Sequence, residues 1–276
     1  KGEILLCQCA ARTAAVLEVK QAVKDISAER PLPAWGRGTI VRSESLTADV
    51  MSMTVKLTVP VSFEAGQFYL VERPDVVGAR AYSMVNYDPQ TSELEFVIKK
   101  KPQGGFTEAL FADMGVGIEV EVYGPLGSAT FQPTMDQSLV CIAGGTGIAG
   151  ILSILDHACA EGYFDRHDGH VFFGVRTPAD VFYLDRLSAY RERFPSRLNI
   201  AVALSDQEPD EQLRARYPGI HFGSGFVHEV AKASLAGGLA GSMAYVAGPP
   251  PAVDAAIRFL IMSGVSAGNI RYDKFN

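Results

Sequence analysis

Through the first half of the chain, apolar and polar residues alternate with a period of two. Met51, Met53, Val55 and Leu57 fall on one side of a strand, with Ser52, Thr54 and Lys56 on the other. Leu94, Phe96 and Ile98 repeat the pattern, as do Ile118, Val120 and Val122 between Glu119 and Glu121. Turn-forming residues punctuate these runs at Pro60, Gly66, Pro74, Gly78, Pro89, Pro102 and Gly124-Pro125. Short strands separated by turns predict a small antiparallel β-barrel. One helix interrupts it, opening at Gly104-Gly105 and running through Glu108-Ala109-Leu110-Phe111.

After Pro133 the pattern changes. Residues 139–143, 171–175, 200–204, 244–247 and 270–272 are apolar runs that alternate with helical segments. Strands apolar on both faces and separated by helices predict a parallel α/β sheet. The predicted layout is therefore a barrel over residues 35–133 and an α/β layer over 134–276. Residues 1–34 differ from both: 2–6 read as a strand and 29–33 as a linker, a stretch too short to fold alone. Lys1 in place of a methionine reads as the start of a fragment or a processed chain.

Composition narrows the classes. A length of 276 residues accommodates two ordinary cores, and 47% hydrophobic with 20% charged residues describes a globular protein. The net charge of −6 argues against a general affinity for nucleic acid, which needs concentrated Lys and Arg. Four cysteines suggest no disulfide scaffold, and without a secretory signal a reducing cytoplasm is expected. Residues 137–155 carry no formal charge and are long enough to cross a bilayer. Gly144, Gly145, Gly147 and Gly150 would weaken a single helix there, so a buried strand, a turn and a buried helix start are expected instead. The five histidines form no familiar metal-ligand spacing.

Three motifs carry possible chemistry, and on residues alone each has two readings. Gly145-Thr146-Gly147-Ile148-Ala149-Gly150 follows a strand and opens a helix, which suits either a pyrophosphate on free helix amides or a ligand-free turn. An ordinary dinucleotide fold would place an acid after the second strand, but Arg176-Thr177 stand there. Arg80 and Tyr82 share one side of a strand in Arg80-Ala81-Tyr82-Ser83. They suit a phosphate clamp beside a stacking ring, or an exposed Arg beside a core Tyr. Gly104-Gly105-Phe106-Thr107 is a second anion site or a plain helix cap.

Taken together, these motifs with Gly248-Pro249-Pro250-Pro251 and Tyr272-Asp273-Lys274-Phe275 occur in the order typical of ferredoxin–NADP reductase-like flavoproteins. The chain resembles that family over residues 35–276, and most of all the reductase components of multicomponent aromatic-ring oxygenases. The resemblance implies noncovalent FAD, NADH as donor, and a ferredoxin or oxygenase component as acceptor. It implies that Arg80 holds the FAD phosphates, Tyr82 packs on the flavin and Ser83, next to Ala81 and Tyr82, addresses its reacting edge. Val97, Ile98 and Lys99 would line the ribityl region, and Gly104, Gly105, Phe106 and Thr107 the pyrophosphate. Gly145, Thr146 and Gly147 would meet the NADH pyrophosphate, and Gly248 and Pro249 the nicotinamide. Phe275 is either an aromatic cover or a core residue.

Two positions depart from the family pattern, with Ala247 where relatives often have Cys and Gly150 where they often have Pro. Gly2-Glu3-Ile4-Leu5-Leu6-Cys7-Gln8-Cys9 resembles the end of a plant-type ferredoxin domain, with Cys7 as its fourth cluster ligand. A [2Fe–2S] centre is thus expected in a full-length protein and not in this chain, whose other cysteines lack the C-x₄-C-x₂-C spacing. For the coenzyme, Asp206 after the third α/β strand favours NADH by repelling a 2′-phosphate, while Arg176 is the counter-argument. The rival readings are a stand-alone flavin or haem-protein reductase of the same fold, and a nucleotide-binding module without turnover.

Overall fold

A computed structural model describes residues 31–235 and 237–275, together with Val16. Cys7 and Cys9 lie outside the described residues, as does most of the segment expected to be a ferredoxin remnant.

Six strands, β1 (Ala34–Ser45), β2 (Val50–Val61), β3 (Phe68–Glu72), β4 (Arg80–Ser83), β5 (Thr91–Lys99) and β6 (Glu119–Leu126), form an antiparallel sheet in the order β4-β3-β6-β1-β2-β5. The sheet curls until its two edges meet at an antiparallel bridge between Met84 and Phe96. Inside lie the predicted inward residues Met51, Met53, Val55, Leu94, Phe96, Ile98, Val120 and Val122, joined by Ile40 and Tyr69. Helix α1 (Gly105–Asp113) packs against this interior through Phe106 and Leu110. Arg73, at the end of β3, is only 1% exposed. Its guanidinium binds Asp75 at 2.6 and 2.8 Å and Asp113 at 2.8 Å, tying the loop after β3 to the C-terminal end of α1.

The remaining strands are β7 (Leu139–Gly144), β8 (Gly169–Val175), β9 (Leu198–Leu204), β10 (His221–Ser224), β11 (Met243–Gly248) and β12 (Ile270–Lys274). All are parallel, in the order β10-β9-β8-β7-β11-β12. The reason these strands are apolar throughout is visible in where alternate residues go. Leu139, Cys141, Ala143, Val171, Phe173, Ile200 and Val202 enter one core, with α2 (Ile148–Ala160) and α3 (Leu184–Arg193). Val140, Ile142, Phe172, Ala201 and Ala203 enter a second core on the opposite face, with α5 (Val227–Ser234) and α6 (Pro250–Met262). A short α4 (Glu211–Arg216) links β9 to β10. The uncharged stretch resolves into β7, a tight turn and the start of α2, and no described helix is long and apolar enough to cross a membrane.

The first of the two cores also takes in Val50, Ala65, Val85, Val97 and Phe131 from the barrel side, so the two sheets share buried surface. Each larger apolar side chain buried here stabilises the seam by about 1.5–3 kcal/mol. Polar groups orient it: the Tyr183 hydroxyl donates to Glu95 Oε1 at 2.9 Å, and Arg186 reaches both Asp156 Oδ2 (2.5 Å) and the Val85 carbonyl (3.1 Å). Tyr87 stacks on His157 with ring centroids 4.1 Å apart.

Candidate functional site

The order of the parallel sheet fixes where a ligand can sit. From β7 the chain steps outward through β8, β9 and β10, then returns to the other side of β7 with β11. The connections leaving β7 and β11 diverge, and in open α/β sheets the crevice at such a switch, beyond the carboxyl ends of the strands, is the ligand site. A cavity of about 270 Å³ opens there, lined by Gly144, Gly145, Thr146, Arg176, Ser205, Phe226 and Pro249. The barrel contributes Asp49, Val50 and Lys99 to its wall.

The glycines of the β7–α2 turn have separate reasons. Gly145 has φ +55, and a Cβ there would point into open space. A Cβ on Gly147 would stand 2.4 Å from the Ala247 carbonyl oxygen, so only glycine lets this turn lie against the end of β11. Gly248, at φ +142, faces Gly144 in the same close approach. Gly145, Thr146, Gly147, Gly248 and Pro249 are thus gathered at one place from two distant parts of the chain. The Phe275 amide donates to the Gly248 carbonyl at 3.2 Å, which holds that half-buried ring beyond the end of β12, beside the same loop and outside both hydrophobic cores of the α/β layer.

The second group of motif residues meets on the barrel. Arg80 is exposed, and its guanidinium donates to the Gly78 and Ala79 carbonyls at 3.1 and 3.0 Å. Next to it, Ala81 is exposed and Tyr82 is half-buried, its ring 5.7 Å from Phe106 of α1 and 6.3 Å from Phe96. Burial raises the Tyr82 phenol, with Arg80 acting weakly against it, so this ring stays neutral. No side chain caps α1 at Gly104, so the amides of Gly105, Phe106 and Thr107 in its first turn have no intrahelical partner. Val76, from the loop before Arg80, lies 3.7 Å from where a Gly105 Cβ would stand. An exposed arginine, an uncapped helix start and an aromatic ring in one place have the donors and the flat surface that a flavin nucleotide requires.

Several side chains face elsewhere than the motifs suggest. Thr107 is 8% exposed and its hydroxyl is turned into its own loop, accepting from the Lys101 amide at 3.0 Å, so the donors left for an anion are main-chain amides. Ile98 is fully buried in the barrel, because period two sends it inward. Only its main chain can face a ligand. Val97 points the other way, into the seam with the α/β layer. Lys99 pairs with Asp49 at 3.1 Å. Arg176 lies within 3.8 Å of Asp49 and 3.7 Å of Asp180. Asp206 is exposed after β9, its amide bonded to the Arg176 carbonyl at 2.9 Å.

Ser83 connects the two groups. A Cβ built on Gly150 of α2 would be 3.6 Å from the Ser83 Cβ, an ordinary contact. Ser83, Gly150, Arg271 and Asp273 border a small cleft at the seam. Burial pushes the Asp273 carboxyl above the usual range, and the neighbouring Ser83 hydroxyl opposes the rise.

Asp49, Phe226 and Asp273 were not singled out by sequence. Asp273 stood inside a quoted motif, whose aromatic drew the attention. Asp49 lies in an ordinary hairpin turn, and Phe226, 61% exposed at the cavity lip, has no local signal beyond the glycine before it. Among the described residues no group of three His, Cys, Asp or Glu side chains gathers into a metal site.

Two known families match successive parts of the chain. The family described as oxidoreductase FAD-binding domain matches residues 37–131, and oxidoreductase NAD-binding domain matches 141–258. The reductase component of the naphthalene 1,2-dioxygenase/salicylate 5-hydroxylase systems of Ralstonia sp is 33% identical over 241 residues, spanning 87% of this chain and 68% of that protein. A ferredoxin–NAD(P)+ reductase of Metapseudomonas resinovorans is 31% identical over 272 residues, 98% of this chain and 78% of its own length. Among solved structures, the ferredoxin reductase in carbazole 1,9a-dioxygenase superposes with a TM-score of 0.76 at 31% identity, covering 92% of this chain and 73% of its own. An Amycolatopsis cytochrome P450 reductase superposes with a TM-score of 0.80 at 27% identity, covering 90% and 73%.

Proposed function

Because the chain belongs to the FAD-dependent ferredoxin–NAD(P)+ reductase components of oxygenase systems, we propose a role for each part of its site. The protein carries electrons from a reduced nicotinamide coenzyme through FAD to a ferredoxin or oxygenase component. Bound FAD supplies the chemistry of accepting two electrons together and releasing them singly, as an iron–sulfur acceptor demands. Arg80 and the first amides of α1 hold its phosphates, Tyr82 lies along the ring system, and Ser83 stands at its reacting edge. The main chain of Val97, Ile98 and Lys99 flanks the ribityl chain, and Phe275 covers the flavin from the α/β side.

The amides of Gly145, Thr146 and Gly147 take the coenzyme pyrophosphate, and Gly248 and Pro249 border the nicotinamide. Neighbouring strands lie about 4.8 Å apart, so β9 and β10 are roughly 10–15 Å from the glycine turn, the reach of an adenosine. Asp206 there accepts from the ribose hydroxyls, and the exposed Phe226 ring offers a face to adenine. Asp206 makes NADH the preferred donor, since a carboxylate at the ribose repels a 2′-phosphate. We place the reaction in the cytoplasm, where reduced coenzyme is held and where the buried thiols of Cys141 and Cys159, pushed up to about 12 by burial, stay reduced.

One observation carries this reading: Ser83 of the flavin motif packs against the helix that opens at the coenzyme turn. Asp273, across the same cleft, lies where its carboxyl can orient the Ser83 hydroxyl. Two sites in such contact can pass reducing equivalents without a moving carrier; positioning of this kind accounts for much of enzymatic rate. The test pairs two substitutions. Arg80→Ala is expected to release FAD more readily, with near-normal reduction by NADH once FAD is saturating. Ser83→Ala is expected to keep FAD and slow its reduction. Stopped-flow absorbance and equilibrium dialysis of FAD separate the two, and the assignment fails if both variants share one defect.

A further inference from the structure

Two cations stand on the wall of the coenzyme cavity, and both are already paired. Lys99 Nζ lies 3.1 Å from Asp49 Oδ2, and the Arg176 guanidinium approaches the same oxygen to 3.8 Å and Asp180 Oδ1 to 3.7 Å. Asp49 belongs to the β1–β2 hairpin of the barrel, whereas Arg176 follows β8 of the α/β layer. A carboxylate of one sheet thus reaches an arginine of the other.

Asp49 is held in place. Its amide donates to Thr47 Oγ1 at 3.3 Å, that hydroxyl donates to Asp49 Oδ1 at 3.2 Å, and the Asp49 carbonyl accepts from the Lys100 amide at 2.7 Å. Asp180 is fixed as well, its Oδ2 accepting from the Thr177 amide and hydroxyl at 3.0 and 2.9 Å. Two anchored carboxylates therefore balance Lys99 and Arg176. Beyond β9, Asp206 and Glu208 add two further negative charges without a paired cation in the cluster. The Arg176 side chain is 58% exposed, and neither carboxylate is within hydrogen-bond distance of it. A 2′-phosphate arriving there would meet the negative charge of Asp49 and Asp180, 3.8 and 3.7 Å from the guanidinium, with Asp206 close by. A free ribose hydroxyl meets no such obstacle.

We propose that Asp49 is a specificity-determining residue that acts through Arg176: by holding the guanidinium in a neutral cluster, it withholds that cation from a 2′-phosphate. The inference rests on the reading of this cavity as the coenzyme site. Arg176, which in the sequence looks like a recruiter of phosphorylated coenzyme, becomes compatible with NADH because a residue of the flavin barrel occupies it.

The test uses FAD-loaded protein and titration calorimetry with ADP and 2′,5′-ADP, neither of which can be oxidised or reduced here. Asp49→Asn keeps an acceptor for Thr47 and removes the charge. It is expected to raise the affinity ratio of 2′,5′-ADP to ADP about fivefold, the scale of one partly exposed ion pair. The ratio of kcat/KM for NADPH to that for NADH should rise with it, through KM and not kcat. Asp180→Asn should move the ratio the same way, and adding Arg176→Ala to Asp49→Asn should abolish the gain. An unchanged ratio in both single variants, or a gain that survives loss of Arg176, overturns the inference and leaves the coenzyme site standing. If neither nucleotide binds the unsubstituted protein, the coenzyme reading falls and this inference with it.

Discussion

Three glycines of the β7–α2 turn should respond to alanine in three different ways. At Gly147 the added methyl carbon would lie 2.4 Å from the Ala247 oxygen, 2.6 Å from its carbon and 2.9 Å from the Gly248 nitrogen, all backbone atoms. Ala247 cannot move aside alone, because β7 and β11 are paired from Leu139–Met243 through Ala143–Ala247. Overpacking of this kind costs about 1–3 kcal/mol, and the rigid neighbours place Gly147→Ala near about 3 kcal/mol. For a chain of this size that is a fall in Tm of roughly 6–12 °C. At Gly145 the space is open, so the cost is the left-handed backbone alone, about 1–2 kcal/mol. At Gly150 the methyl carbon would meet Ser83 at an ordinary 3.6 Å within the first turn of α2, so alanine should stabilise by up to about 1 kcal/mol. Thermal unfolding of the three variants gives the order, and NADH titration gives the functional counterpart: Gly147→Ala should bind coenzyme worst, because it parts the two ends that form the cavity. Equal melting temperatures for Gly147→Ala and the parent, or a loss at Gly150 as large as at Gly147, would refute the close-approach argument.

Other consequences follow from single contacts. Asp75 and Asp113 both titrate below the usual carboxylate range, because each accepts hydrogen bonds from Arg73. A depressed folded-state pKa contributes stability above the unfolded value of 3.8 that is lost as pH falls through the folded value. The urea midpoint of the parent should therefore exceed that of Arg73→Met clearly at pH 7 and by less at pH 3; a gap that widens in acid would contradict the clamp. For the coenzyme, kcat/KM is expected to be higher with NADH than with NADPH, and Asp206→Asn should narrow the difference several-fold, through KM. Equal values for the two coenzymes in the parent would remove the argument from Asp206.

The fold was largely legible because its strands obey simple periods. Runs such as 139–143 and 200–204 look uniformly apolar, and two separate cores explain why both parities must be. β1 escaped notice although it sits in the middle of the barrel sheet. Its inward positions are few, and one is Gly38, where a Cβ would lie 2.6 Å from Val55 Cγ1; a neighbour fills the place that a side chain would have marked. β10 escaped too, being four residues long with only Phe222 buried. In the site, motif order was readable, but orientation was not. Nothing local to Val97-Ile98-Lys99 says which of the three faces the barrel interior, and nothing near Thr107 says that the Lys101 amide claims its hydroxyl. Asp49 meets Arg176, and Ser83 meets Asp273, only because the two sheets dock.

The strand that carries Arg80, Tyr82 and Ser83 has one full neighbour, β3, and on its other side a lone bridge just past its end. Four residues held on one side are the first part of a barrel expected to detach, and amide hydrogen exchange in flavin-free protein should be fastest there. While detached, such a strand offers a raw edge of donors and acceptors to any other chain in solution. A flavin held by that strand, as proposed, would then act as a structural chaperone of its own binding motif. Preparations stripped of FAD should be prone to slow association through this edge, and refilling the site should suppress it.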